Sequence, residues 1–158
     1  MSASFQDYLG LLRELSGTLG RLAELNQRKA AAVRQDDLIA LDEELKQEQA
    51  MTLSLRGLEQ RRLKLSAQLG LDGVPLSDLP RQCPPELEAA ASQTVSDLRQ
   101  SYQTYRSCAN LAREILELNL YQIEKVVAAA GVDPAAAGAG YAPPGVEPPK
   151  NMKTDFRA

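Results

Sequence analysis

Apolar residues return at alternating steps of three and four along much of this chain, and that spacing limits its fold more than any other feature. The first such line, or seam, is Phe5, Tyr8, Leu12, Leu15, Leu19 and Leu22. Side chains at this spacing share one side of an α-helix, whereas a β-strand would repeat at every second residue. The seam passes through the polar residues Asn26 and Lys29 and resumes at Val33. It predicts a first helix over residues 4–34, with Ser4 as its N-cap.

A second helix is predicted over residues 37–69, after a short polar break. Asp36 or Asp37 can cap its N-terminus, and Gly70 follows where a glycine commonly ends a helix. Its seam is Leu38, Leu41, Leu45, Met51, Leu55, Leu58, Leu65 and Leu69. Because the break is short, the first two helices are expected to form an antiparallel hairpin.

Residues 70–84 are rich in glycine and proline, which predicts a loop that crosses back to a third helix over residues 85–130. The seam of this helix is Val95, Leu98, Tyr102, Tyr105, Ala109, Ala112, Leu116, Asn119, Ile123 and Val126. The fold class expected is therefore all-α, an elongated three-helix bundle or coiled coil over residues 1–130. From Gly131 onward, glycine, proline and alanine dominate, so residues 131–158 are expected to form a disordered tail.

The third helix carries more apolar surface than one seam explains. Cys108, Leu111, Ile115 and Leu118 form a second stripe at steps of three and four, and Leu120 and Val127 lie on a further flank. Two interpretations remain open. This half of the helix faces both helices of the hairpin, or it forms a groove that accepts an amphipathic helix from a partner.

Polar residues and glycines interrupt the first two helices. Lys29, Glu48 and Arg62 occupy seam positions, where they are either buried in pairs or turned toward solvent. Gly10, Gly17 and Gly20 lie inside the first helix, where glycine is unfavourable. Close approach of another helix and local looseness are both compatible with them.

Composition excludes several classes of function. The chain has no histidine and two cysteines far apart, so catalytic residues, a metal site and a cofactor are not expected, and neither is an enzyme. A net charge of −3 without a basic stripe argues against nucleic-acid binding. With neither a signal peptide nor an apolar run long enough to span a bilayer, a cytoplasmic protein without membrane insertion is expected.

The order of short motifs resembles the FlgN family of flagellar export chaperones. Residues 25–71 are similar to that family's first hairpin, and residues 141–145 and 154–158 to its tail. The matching pieces are Lys29, Asp37-Leu38 with Leu41, Leu58-Glu59 with Arg62, Leu69-Gly70-Leu71, and the more loosely matched Asn110-Leu111-Ala112. The sequence departs from the family at Gln49, where a basic residue is frequent, and in its alanine-rich start of the tail.

The resemblance implies a chaperone that binds the C-terminal amphipathic segments of hook–filament junction proteins and delivers them to the flagellar export gate. On this basis the client-binding residues expected are Cys108, Leu111, Ile115, Leu118 and Ile123. Tyr141 and Phe156 are the residues expected to dock to the export gate. The alternatives are a structural or adaptor coiled coil that forms a homodimer through the third helix, and an export chaperone with other clients, such as the filament cap or flagellin.

Overall fold

Long helices make up most of the computed structural model, which describes residues 4–131. Helix α1 spans Phe5–Arg34, α2 spans Leu38–Gln68, the short α3 spans Leu79–Gln82 and α4 spans Glu88–Ala129. No strand occurs within residues 4–131, and the predicted all-α fold class is confirmed. The predicted tail lies outside the described residues from position 132 onward.

The ends of the first two helices follow from local side-chain chemistry. Ser4 accepts a hydrogen bond from the Asp7 backbone N–H, and the Asp7 carboxylate accepts one from the Ser4 N–H, which forms a capping box. Asp37 caps α2 by accepting from the Ala40 N–H. The neighbouring Asp36 adopts a φ of 53°, which lets the chain reverse between the helices. Gly70, with a φ of 71°, follows the end of α2 as a glycine C-cap does.

The segment predicted as a loop contains short helices of its own. A 3₁₀ helix at Leu76–Asp78 leads into α3, and a second at Pro85–Leu87 leads into α4, so the long helix begins at Glu88. Leu71 and Leu79 are buried in the hydrophobic core. The connection therefore covers one end of the bundle rather than lying free in solvent.

Helix α1 is the centre of the bundle, because it packs against both α2 and α4 while those two contact each other little. Its seam from Tyr8 to Leu22 is almost fully buried, and so are Leu9, Leu11 and Leu25 on its flanks. In contrast, α2 buries Leu55 and Leu58 but leaves Leu45 exposed. The core is thus built around α1, with α2 on one side and α4 on the other.

Side-chain contacts set the direction of each neighbour. Lys29 of α1 pairs with Glu48 of α2 at 2.7 Å, and at the other end of the hairpin Arg62 of α2 donates to the Tyr8 hydroxyl at 3.3 Å. Residue numbers rise on α1 as they fall on α2, so the predicted antiparallel hairpin is present. The Arg62 guanidinium also pairs with Glu59, and these contacts raise the pKa of Arg62 further above its ordinary value. Lys29, Glu48 and Arg62 are therefore all held in pairs rather than turned freely into solvent.

Helices α1 and α4 run parallel. The Ser16 and Ser101 hydroxyls share a hydrogen bond of 2.7 Å, and further along, the Gln27 amide donates to the Cys108 sulfur at 3.6 Å. Both contacts join residues more than 80 positions apart, and numbers rise together on the two helices. The connection through α3 is what returns the chain to the starting end of α1.

The Lys29–Glu48 pair is expected to stabilise the hairpin. Lys29→Met keeps the aliphatic part of the side chain but leaves the half-buried Glu48 carboxylate without its partner, so the free energy of unfolding should fall by about 1–2 kcal/mol. Urea unfolding followed by circular dichroism measures this. Lys46→Met is the matched control, because Lys46 pairs with Asp42 on the exposed face of α2. An equal loss in both variants would contradict a role for burial.

Candidate functional site

Helix α4 extends past the turn that joins α1 to α2. The helices are parallel, and the Gln27–Cys108 and Ser16–Ser101 contacts offset them by 81 and 85 positions, so the end of α1 at Arg34 is level with residues 115–119. The helix then continues to Ala129, a further length of about 15–21 Å at 1.5 Å per residue. No other helix among residues 4–131 runs alongside this extension in that direction.

Burial along α4 changes at the same level. Ala91, Val95, Leu98 and Ala112 are buried, and Ala112 is the last buried residue of α4 in the part of the chain that the structure describes. Beyond it most of the large apolar side chains are more than half exposed, namely Leu118, Leu120, Tyr121, Ile123 and Val126. An apolar surface of this extent on one helix is typical of a protein-binding site.

The structure places four of the five predicted client-binding residues on one line. Cys108 and Ile115 are partly buried, whereas Leu111 and Leu118 are 51% and 57% exposed. We call Cys108, Leu111, Ile115 and Leu118 the client stripe. Leu111 and Leu118 are surface residues, and neither hairpin helix buries them.

Ile123 does not belong to this stripe. It continues the seam of Ala112, Leu116 and Asn119. This seam lies about 100° around the helix from the client stripe, because each of its members is one residue away from a position of the stripe. Because the seam has left the bundle by this point, Ile123 is also 51% exposed. The fifth predicted residue thus lies on a second apolar line of α4, within the extension.

Sequence reasoning missed a further apolar patch at the start of α2. Leu38 and Ile39 are 76% and 87% exposed, although Leu38 was assigned to the α2 seam. Adjacent residues on a helix point about 100° apart, so both members of a Leu-Ile pair cannot lie on one seam. The Leu-Ile pair directly after the aspartates of the turn is therefore the sequence feature that could have indicated an exposed apolar side chain here.

Residues 4–131 contain no group of histidine, cysteine and carboxylate side chains that could hold a metal ion, and none of their helices is long and apolar enough to cross a membrane. Cys83 and Cys108 are free thiols, and burial raises the pKa of Cys83. On the extension, the Lys125 ammonium lies 4.8 Å from the centre of the Tyr121 ring, a cation–π contact. The exposed surface of the α4 extension therefore offers mainly apolar contacts to a ligand.

The two predicted export-gate residues, Tyr141 and Phe156, lie outside the described residues. Comparison with known proteins gives one finding, a match of residues 1–149 to the family model described as FlgN protein. The chain belongs to the FlgN family. Searches of curated proteins and of solved structures find no match to it.

Family membership indicates the general function of the chain. The family acts in flagellar protein export as chaperones rather than as enzymes, and it binds flagellar hook-associated proteins. The matched region includes all of the client stripe, the extension of α4 and Tyr141 but ends before Phe156.

The exposure of the client stripe predicts how the FlgN protein responds to mutation. Leu118→Ser should change the free energy of unfolding by no more than about 0.5 kcal/mol, because the side chain is already largely in water. Leu98→Ser, on the same helix at 2% exposure, should cost about 3 kcal/mol or more. Thermal and urea unfolding of the two variants test this, and similar losses would assign Leu118 to the core.

Proposed function

We propose that this FlgN protein binds the C-terminal amphipathic segments of hook–filament junction proteins in the cytoplasm and delivers them to the flagellar export gate. The observation that supports this most directly is the client stripe on a helix that extends beyond its own bundle. An amphipathic helix buries its apolar face in such a surface through residues spaced three and four apart.

The physical requirements of export fit a surface of this kind. A client has to be held long enough to prevent premature assembly and then released. Apolar contact along one helix gives an affinity that depends on a few central side chains, without covalent or metal-dependent steps. Leu111, Ile115 and Leu118 are the central contacts on this proposal, with Cys108 and Ile123 at its two ends.

Serine substitution on the client stripe tests client capture. The double variant Leu111→Ser/Leu118→Ser should weaken binding of a junction protein by more than about tenfold, since two apolar contacts are lost. The matched control is Leu53→Ser/Leu63→Ser, which removes two leucines of similar exposure from α2. Binding is measured by isothermal titration with a full-length junction protein and with one that lacks its C-terminal segment.

Each result decides a different point. Binding that survives deletion of the client's C-terminal segment would contradict helix capture. An equal effect of the α2 control would contradict the location on α4. If the stripe instead serves homodimerisation, sedimentation of the FlgN protein alone would show a dimer that the stripe variant dissociates.

The tail is proposed to dock to the export gate through Tyr141 and Phe156. A chain ending at residue 131 should bind the junction protein as tightly as the full chain, because it keeps the client stripe. Secretion of that client into the medium should fall sharply in cells that carry the shortened chain. Tyr141→Ala and Phe156→Ala in the full chain separate the two aromatic residues, and normal secretion in all three variants would rule out this role.

A further inference from the structure

A groove lies between α1 and α4, on a flank of α1 that α2 does not line. It has a volume of about 500 Å³. Gly20, Ala23 and Gln27 line it from α1, and Asp97, Ser101 and Thr104 line it from α4. These residues are small or polar, so the groove alone has no apolar floor that would attract a ligand.

The α4 wall of this groove is continuous with the client stripe. Asp97, Ser101 and Thr104 are spaced by four and three residues, and the same alternation continues through Cys108, Leu111, Ile115 and Leu118. The Gln27 amide, at the end of the α1 wall, contacts the Cys108 sulfur. The groove and the stripe therefore form one path along α4, about 32 Å long from Asp97 to Leu118.

Gly20 lines the groove and adds no side chain to it. A Cβ atom at this position would meet no atom within 4 Å, so the packing of the bundle does not require a glycine there. The Ser16 hydroxyl, one turn before Gly20, bonds to Ser101 and holds α1 and α4 together. A larger side chain at position 20 would project into the groove without disturbing the core. Glycine also lowers helix propensity, and the packing around Gly10 and Gly17 leaves the same room for a Cβ atom, so what distinguishes Gly20 is its place in this groove.

The α1–α4 groove differs in charge from a second groove, which lies between α1 and α2. Glu24 and Asp97 are the charged residues that line the α1–α4 groove, and both are acidic. The groove between α1 and α2 is lined by Arg13, Arg21 and Arg61 together with Glu14. A helix that enters the α1–α4 groove would therefore be favoured if it carried basic residues at that end.

We propose that the captured client helix continues beyond the client stripe into the α1–α4 groove, with a small residue over Gly20 and a basic side chain near Glu24 and Asp97. This inference rests on the proposed function, because the stripe supplies the apolar contacts. The partner is thus an amphipathic helix of about 20 residues, apolar in one half and small and basic in the other. Gly20 is the residue that selects for a small side chain in the client.

Substitution at two glycines tests the steric part. Gly20→Leu should weaken binding of a synthetic peptide, the C-terminal segment of a junction protein from the same organism, by about tenfold or more, because leucine fills the groove. Gly17→Leu is the matched control, since Gly17 lies on the same helix but lines the α1–α2 groove. It should leave affinity within about twofold. Circular dichroism and thermal melting verify that both full-length variants are folded.

Charge reversal tests the electrostatic part. Glu24→Lys should weaken binding of the peptide, because an attractive charge becomes a repulsive one. The affinity of this variant should also depend less on the sodium chloride concentration. Glu14→Lys, in the opposite groove, is the control and should have little effect.

The outcomes separate this inference from the function on which it rests. If Leu118→Ser weakens binding while Gly20→Leu and Glu24→Lys bind normally, client capture stands and the continuation of the client helix into the groove is wrong. If none of the three variants changes binding, both proposals are wrong. Weakening by Gly20→Leu and Glu24→Lys, with normal binding by Gly17→Leu and Glu14→Lys, supports the continuous path.

Discussion

Burial of α1 between two neighbours is the interaction on which the rest of the structure depends. Its seam from Tyr8 to Leu22 is removed from water almost completely, and at about 25 cal/mol per Å² of apolar area this is the main favourable term in the fold. Because α2 and α4 contact each other little, each is held chiefly through α1. Among residues 4–131, one side of α4 therefore remains uncovered by other helices, and this leaves the client stripe accessible.

Polar contacts determine how the helices align, since apolar seams of leucine and alanine fit together in more than one register. The hydrogen bond from Arg62 to Tyr8 fixes one end of the hairpin, and the pair of Lys29 with Glu48 fixes the other. Between α1 and α4, the Ser16–Ser101 bond has the same effect. These contacts decide which residues of α4 lie beside α1 and which extend past Arg34. The position of the candidate site is thus a consequence of register, which a slip of one heptad would displace by about 10 Å.

The sequence predicted most of the fold, because helix periodicity and capping act over a few residues. Ser4 begins α1, Asp37 (one of two predicted candidates) begins α2, and Gly70 follows the end of α2, as expected. Cys108, Leu111, Ile115 and Leu118 share a stripe, as their spacing indicated. The exposure of Leu38 and Ile39 was missed, and so was the groove beside Gly20. Both depend on where helices end relative to one another, and that alignment is set by contacts between residues up to 85 positions apart. Spacing within one helix carries no information about it.

The parallel arrangement of α1 and α4 has a consequence for how the molecule folds. The hairpin of α1 and α2 closes around a turn of a few residues, so its first contacts cost little chain entropy. The contact of Ser16 with Ser101 closes a loop of 85 positions, for which the entropic cost is larger. Contacts of such sequence separation form slowly and after local ones. We therefore expect α4 to dock after the α1–α2 hairpin has formed, and we expect its exposed half to open locally at a lower free energy than the buried seam of α1.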